Sequence, residues 1–230
     1  MNNNTTKMSK KKATQQVNEF DETLVASKTF FEKHKKTILY GGGCVLVVII
    51  AALLIHQFYI TPRNNRANES IFYAEQLFNE GNYEKALNGD GENLGFLGVI
   101  DQYGSTKAGN IACLYAAKCY AETDKFQEAI DMLDKFDDCG DEMISPAAIA
   151  LKGNCYAELG QNDKAAELLL KAAKEADNNT ISPTCLLQAG QIFLAQGQKD
   201  KALDCFKQIK EKHQQSNIYY EIDKYIEAAQ

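Results

Sequence analysis

Ile144–Leu169 reads ISPAAIALKGNCYAELGQNDKAAELL, and 37 residues later Ile181–Phe206 reads ISPTCLLQAGQIFLAQGQKDKALDCF. The two segments align without gaps and are identical at nine of 26 positions. Each predicts a helical hairpin, in which a serine caps the first helix, a proline occupies the first turn and a glycine ends the helix. The residues given these roles are Ser145, Ser182, Pro146, Pro183, Gly160 and Gly197.

The same pattern extends toward the N-terminus. Cys119-Tyr120-Ala121-Glu122 returns 36 residues later as Cys155-Tyr156-Ala157-Glu158, and an earlier copy around Ala74 is interrupted by an insertion at 88–95. An amphipathic pattern over 217–229, with Ile218, Ile222, Tyr225 and Ile226, predicts a capping helix. Repetition at this period predicts an all-α stack of about four hairpins, occupying 61–230.

These copies resemble the tetratricopeptide repeat. A small residue, an aromatic residue, a glycine, an alanine and a large apolar residue recur at the family spacing in Gly153, Tyr156, Gly160, Ala165 and Leu169, and again in Gly190, Phe193, Gly197, Ala202 and Phe206. The resemblance covers about Arg66–His213, although no copy has the early Trp or the closing Pro of the family. It implies a right-handed superhelix whose first helices line a concave binding face.

That resemblance also implies which side chains form a partner-binding groove. The predicted groove residues are Ile111, Leu114, Lys118, Glu122, Ala150, Asn154, Glu158, Thr184, Leu187, Gln191 and Leu194, with Ala121, Ala147, Ala157 and Ala195 beside them. Most are apolar, and the groove suits an extended or helical apolar segment of another protein. Partial cover of this groove by the C-terminal helix is an alternative.

A single transmembrane helix is predicted at 38–60. This segment has no formally charged side chain, and about twenty residues cross a bilayer core. Lys28, Lys33, Lys35 and Lys36 precede it, whereas Arg63 and Arg66 follow it. By the positive-inside rule the N-terminus is cytoplasmic and the repeats lie on the far side. The apolar run is longer than that of a cleaved signal peptide, so the span is expected to be retained.

The remaining segments have opposite charges. Met1–Thr37 carries eight Lys against four Asp/Glu, and its second half predicts an amphipathic helix over Asn18–Lys36 that lies on the membrane or against a partner, or a simple solvated leader. Thr61–Gln230 carries 17 Lys/Arg against 27 Asp/Glu. An acidic domain argues against nucleic-acid binding, which depends on basic residues.

No catalytic, metal or cofactor site is predicted. The three histidines are scattered, no Cys-x-x-Cys motif occurs, and the Gly-rich insertion lacks the pattern of a calcium or phosphate loop. Five cysteines, Cys113, Cys119, Cys155, Cys185 and Cys205, lie in predicted helices and are interpreted as core residues. We expect neither an enzyme nor a small-molecule substrate.

Phe30-Phe31-Glu32-Lys33, one span and an acidic repeat domain together are similar to the YfgM-type family of bacterial inner-membrane proteins. The resemblance implies a periplasmic domain that works at the Sec translocon with a PpiD-like membrane-anchored chaperone and assists exported chains. The hypothesis is therefore a non-catalytic adaptor or chaperone subunit of protein export. The alternative is a structural scaffold for an envelope assembly or division complex.

Overall fold

The computed structural model describes residues 28, 32–37, 39–41 and 43–230. The chain divides into two compact parts, Met1–Thr61 and Pro62–Gln230. Every described residue lies in a helix, turn or loop and none in a β-strand, so the predicted all-α class is confirmed for them. The amphipathic helix predicted over Asn18–Lys36 rests on Phe20, Leu24 and Phe31, which lie outside the described residues.

The candidate membrane span belongs to a helix with the bounds Glu32–Asn79. An 18-residue window of this helix has a mean hydropathy of 2.7, and none of the window is buried inside the protein. The helix is therefore long and apolar enough to cross a membrane once. At the end of the apolar segment, His56–Ile60 forms a π-helical turn, and the Thr61 hydroxyl donates to the His56 carbonyl oxygen at 3.0 Å.

The repeat domain is a succession of short helices. Consecutive helices from α2 onward pack against one another along the chain. Repeat 1 comprises α1 to α3, repeat 2 α4 and α5, repeat 3 α6 and α7, and repeat 4 α8 and α9. The bounds are α1 (Thr61–Asn79), α2 (Tyr83–Asn88), α3 (Phe96–Tyr103), α4 (Lys107–Ala121), α5 (Phe126–Leu133), α6 (Ile144–Glu158), α7 (Asn162–Ala176), α8 (Ile181–Ala195), α9 (Lys199–Lys212) and α10 (Ile222–Ala229).

Glycines end the first helices of repeats 3 and 4, as predicted. Gly160 has a φ of +72°, which a residue without a Cβ adopts without strain. Its N–H donates to the Ala157 carbonyl oxygen at 2.9 Å, and the next N–H, of Gln161, donates to the Tyr156 carbonyl oxygen at 2.8 Å. Both bonds satisfy carbonyl groups at the end of the helix. The same pair of bonds follows α8 at Gly197.

The prediction that serines cap these helices is wrong. The Asp141 carboxylate accepts hydrogen bonds from the N–H groups of Met143 and Ile144, both at 2.8 Å. Asn178, 37 residues later, caps α8 in the same way through the N–H groups of Thr180 and Ile181. A capping side chain accepts hydrogen bonds from the N–H groups two and three residues after it. Ser145 and Ser182 are already the second residues of their helices, so they lie too far along the chain to accept from the first N–H groups.

The two serines bind the preceding loops instead. Ser145 is buried, and its hydroxyl donates to the Asp138 carboxylate at 2.5 Å and accepts the N–H of Cys139 at 3.2 Å. Ser182 is also buried and accepts the N–H of Asn178 at 3.0 Å. Each serine therefore joins the start of a first helix to the loop that enters the repeat.

The second helix of repeat 1 is split. The chain leaves the helix after Asn88 and becomes helical again at Phe96. Within the loop, the Asp90 carboxylate accepts the N–H groups of Glu92 at 3.0 Å and Asn93 at 2.7 Å. Phe96 is fully buried in the core shared by repeats 1 and 2. The loop therefore interrupts the helix while its second half still contributes to the core.

At the C-terminal end, the capping pattern forms two elements rather than one helix. Asn217–Tyr220 is a 3-10 turn, and α10 follows it. Ile222 is fully buried in the core cluster that contains Phe206 and Leu169. The packing partner of α10 is α9, the second helix of repeat 4. The apolar end of the last repeat is thus covered.

Candidate functional site

The first helices of neighbouring repeats lie side by side. Direct contacts join α4 to α6 and α6 to α8, in addition to the contacts inside each hairpin. Because the repeats follow one another at nearly constant spacing, equivalent positions of these helices share one side of the stack. We call this side the first-helix face, and its members are Ile111, Lys118, Ala121, Glu122, Ala147, Ala150, Asn154, Ala157, Glu158, Thr184, Leu187, Gln191, Leu194 and Ala195.

Most of the predicted groove residues on this face are accessible. Glu122, Glu158, Thr184 and Gln191 are exposed, whereas Ile111, Lys118, Ala150, Asn154, Leu187 and Leu194 are half-buried. Leu114 is the exception, because it is only 5% exposed. It packs in the core between repeats 2 and 3 with Ala129, Ile130 and Cys155. Its methyl groups are therefore part of the inter-repeat core and unavailable to a partner.

The end of the face formed by repeat 4 has no charge. Leu187 and Leu194 pack against the edge of the C-terminal core and keep part of their surface in solvent. The Thr184 hydroxyl donates to the Thr180 carbonyl oxygen at 3.2 Å, within its own helix. Ala195 and Gln191 are exposed. This end offers apolar surface and a neutral amide to a bound chain.

The opposite end carries Glu75, which the sequence interpretation missed. Glu75 is half-buried on α1, and burial raises the pKa of its carboxyl group above the ordinary value, while a hydrogen bond from the Tyr115 side chain partly opposes that rise. Glu75 follows the small residue Ala74 as Lys118 follows Ala117 and Asn154 follows Gly153. The repeat alignment therefore held the signal that identifies it as a face residue.

Aromatic rings hold Tyr115 beside Glu75. Tyr115 stacks on the buried Phe96 ring at 5.2 Å between centroids with an interplanar angle of 11°. Phe78 meets Tyr115 edge-on at 5.5 Å and 76°. The Lys118 ammonium lies 5.2 Å from the Tyr115 ring centroid, a cation–π contact. Tyr115 is therefore fixed from several sides, and its hydroxyl has little freedom to leave the carboxylate.

Two further carboxylates occupy equivalent positions. Glu122 is the residue at which α4 ends, and Glu158 is the last residue of α6. Both are exposed, and they are separated by the repeat spacing of 36 residues. The corresponding residue of repeat 4 is Ala195. The first-helix face thus has a carboxylate in each of repeats 1 to 3, together with Lys118 in repeat 2, and no charged member in repeat 4.

Three cavities of the domain lie between different sets of helices. One of about 590 Å³ lies between α7, α8 and α9, and one of about 240 Å³ lies between α5, α6 and α7. A third, of about 530 Å³, lies where repeat 3 follows repeat 2, and among its lining residues is the predicted groove residue Ile111. None of these cavities gathers the predicted groove residues, which form an open surface.

The buried cysteines are core residues, as expected. Cys113, Cys119, Cys155, Cys185 and Cys205 are at most 4% exposed. Burial raises the pKa of the Cys119 thiol to about 12 and that of the Cys155, Cys185 and Cys205 thiols to about 11. A thiol with such a pKa is a poor nucleophile and metal ligand at neutral pH. In the described ranges, no three or more His, Cys, Asp or Glu side chains group as metal ligands.

Comparison with protein families gives one match. Residues 184–216, most of repeat 4, match the family model described as a tetratricopeptide repeat. No curated protein sequence matches the chain.

Several solved structures share the fold. A putative kinesin light chain from Podosopora anserina with nearly identical TPR-like repeats gives a TM-score of 0.56 at 16% identity, over 72% of this chain and 85% of that chain. The MamA protein gives a TM-score of 0.52 at 16% identity, over 71% of this chain and 89% of that chain. YrrB, a TPR protein with an unusual peptide-binding site, gives a TM-score of 0.52 at 20% identity, over 77% of this chain and 86% of that chain. At these identities the likeness concerns the fold, and the family match shows a tetratricopeptide repeat at residues 184–216.

Proposed function

We propose that this protein is a membrane-anchored, non-catalytic adaptor whose repeat domain binds a segment of another protein on the first-helix face. The observation that carries the proposal is a continuous side of three adjacent helices with exposed and half-buried face residues. The peptide-binding site named for YrrB, which has the same fold, is consistent with this role.

The anchor in this proposal is the apolar part of the helix with the bounds Glu32–Asn79. Insertion into lipid removes its exposed aliphatic side chains from water, and the favourable transfer free energy is about 25 cal/mol per Å² of apolar surface. The basic residues before the span favour a cytoplasmic N-terminus. The proposed compartments, a bacterial inner membrane for the anchor and the periplasm for the repeat domain, rest on the similarity to YfgM-type proteins.

Protease accessibility tests this topology. In spheroplasts, added protease should degrade the repeat domain and leave a short membrane-protected N-terminal fragment. An epitope tag at residue 2 identifies that fragment, and a cytoplasmic marker protein that stays intact controls for lysis. Protection of the repeat domain in intact spheroplasts would reverse the orientation and contradict the periplasmic assignment.

The more specific part of the proposal is a role in protein export. It rests on the similarity to YfgM-type proteins and predicts partners of the Sec translocon, a PpiD-like chaperone and exported chains. Affinity purification from detergent, quantified against Thr184→Arg/Gln191→Arg, should enrich translocon or periplasmic chaperone subunits only with the unaltered face. Gln127→Arg/Gln215→Arg, on exposed positions outside the face, is the matched control.

The envelope scaffold is the competing interpretation of the same face. An export chaperone should slow aggregation of an unfolded client protein, and the face variant should lose that activity while the control variant keeps it. Enrichment of division or assembly proteins, together with no effect on aggregation, would support the scaffold and contradict the export role.

A further inference from the structure

The charges of the first-helix face are not balanced in the free protein. With Glu75 of repeat 1 added to its members, the first-helix face carries three carboxylates, Glu75, Glu122 and Glu158, against the ammonium group of Lys118. Within the part of the chain that the structure describes, the ion pairs are Lys152–Asp134, Lys171–Glu175, Lys210–Asp223 and Lys224–Glu221. None of these pairs neutralises a carboxylate of the face.

Glu75 is the least favourable of the three carboxylates. It is half-buried, so part of its hydration is lost, and the pKa of its carboxyl group is raised by this burial. The ion pairs given above do not include Glu75, and the side chain that hydrogen-bonds it is the neutral Tyr115. A cation that reaches Glu75 would recover electrostatic energy that the free domain lacks.

Glu122 and Glu158 stand at unfavourable places for the helices that hold them. Each lies at the C-terminal end of its helix, where the helix dipole presents partial negative charge. A carboxylate there repels the helix end, and basic residues are preferred instead. Residues that cost local stability and yet recur at the repeat spacing are candidates for a binding role.

We infer that the segment bound on the first-helix face is basic, with Lys or Arg side chains meeting Glu75, Glu122 and Glu158 and apolar side chains meeting Leu187 and Leu194. This inference rests on the proposed function. It adds the chemistry of the ligand and states which repeats its basic part and its apolar part meet. Charge complementarity along repeats 1 to 3 favours the cations, and the uncharged surface of repeat 4 favours the apolar end. A segment of mixed basic and apolar character fits the whole face.

Matched peptides test the inference on the full-length protein in detergent micelles. The probe is a set of fluorescein-labelled 12-residue peptides with an arginine-rich half and a leucine-rich half, in either order, and each has a partner with citrulline, the uncharged analogue, in place of arginine. We expect the arginine peptides to bind about tenfold more tightly or better, measured by fluorescence anisotropy at low ionic strength. Raising the salt to about 0.5 M should remove most of that difference.

The variants separate the face from the general acidity of the domain. Glu75→Gln/Glu122→Gln/Glu158→Gln should bind both peptide types with similar affinity, whereas the control Glu84→Gln/Glu128→Gln/Glu167→Gln, with the same net charge and exposed glutamates elsewhere, should keep the preference for arginine. Equal loss in both triple variants would mean that the overall field attracts the peptides, and it would overturn the inference.

Stability gives a second readout. Because Glu122 and Glu158 oppose the helix dipole, Glu122→Gln/Glu158→Gln should unfold at the same or a higher temperature than the natural protein while it loses affinity for arginine peptides. Loss of affinity together with loss of stability would indicate misfolding and contradict the inference. Equal, measurable binding of arginine and citrulline peptides would overturn it and leave the proposed function standing, whereas no binding by either type would contradict both.

Discussion

Repeats 3 and 4 follow the same plan but pack differently. Gly153 and Leu169 meet in repeat 3, and Gly190 and Phe206 meet at the equivalent positions of repeat 4. A Cβ placed at Gly153 would lie 3.1 Å from the Leu169 Cγ, whereas one placed at Gly190 would lie 2.3 Å from the Phe206 Cε1. The larger ring of repeat 4 has used all of the space that its glycine leaves. The repeat pattern therefore fixes positions, and the side chains chosen at those positions fix how tightly each hairpin closes.

The largest expected difference between the repeats comes from these glycines. Gly190→Ala should destabilise the protein by about 3 kcal/mol, because the buried Phe206 ring must move, whereas Gly153→Ala should change stability by less than about 1 kcal/mol. Urea unfolding followed by circular dichroism measures both variants. Adding Phe206→Leu to Gly190→Ala should recover part of the loss, and equal effects of the two alanine substitutions would refute the packing difference.

The helix caps give the next largest effect. Asn178→Ala should cost about 1 kcal/mol, because the N–H groups of Thr180 and Ile181 lose their acceptor. Asn178→Asp keeps an acceptor and should stay within a few tenths of a kcal/mol of the natural protein. Amide hydrogen exchange at the start of α8 shows whether the change is local. Unchanged exchange in Asn178→Ala would contradict the assigned cap.

A smaller effect is expected at the end of α4. Asp124 has a φ of +57° at the position that Gly160 and Gly197 occupy in repeats 3 and 4. Asp124→Gly should therefore stabilise the protein, by about 0.5 kcal/mol after the entropy of the added glycine is included. Gly160→Asp is the reciprocal variant and should destabilise by a similar amount. Thermal unfolding of both variants tests this, and changes of the same sign would contradict the explanation.

The smallest effect is a pH dependence at the start of α6. Hydrogen bonds from the N–H groups of Ile144 and Met143 lower the pKa of Asp141 below its ordinary value. Its contribution to stability is therefore complete above the unfolded pKa, near 3.9, and is lost as the pH falls through the lower folded pKa. The start of α6 should exchange amide hydrogens faster at low pH, relative to intrinsic rates, than the start of α8, where Asn178 does not titrate. Asp141→Asn should reduce that difference, and the part that remains is assigned to Asp138, whose pKa is lowered by hydrogen bonds from Ser145 and Gly140.

The hairpins were predictable from the sequence because their signals are local. Gly160 and Gly197 required only the repeat alignment and the rule for helix ends. The caps were assigned to Ser145 and Ser182 because Ser-Pro is a common helix start, and the error arose because loop geometry decided which oxygen reaches the free N–H groups. Asp141 and Asn178 carry the same 37-residue spacing, but one is an acid and the other an amide. A search for identical residues in the two repeats therefore missed these two caps.

The binding face was less predictable than the fold. Spacing predicted that Ala150 and Leu187 are accessible, and both are half-buried, but Leu114, at the equivalent position of repeat 2, is buried because the inter-repeat core includes its side chain. Burial of this kind depends on the angle between successive repeats, which the sequence does not encode locally. Glu75 was missed because repeat 1 is interrupted, although its register with Ala74 matches that of the later repeats.

Site-specific photocrosslinking shows whether the first-helix face contacts other proteins in the cell. A photoreactive amino acid placed in the full-length protein in living cells at Asn154 or Gln191, on the first-helix face, is compared with one at Glu167 or Lys207, which are exposed on second helices. We expect discrete protein adducts from the two face positions and none of comparable yield from Glu167 or Lys207. Adducts that come equally from all four positions, or only from Glu167 and Lys207, would contradict this expectation.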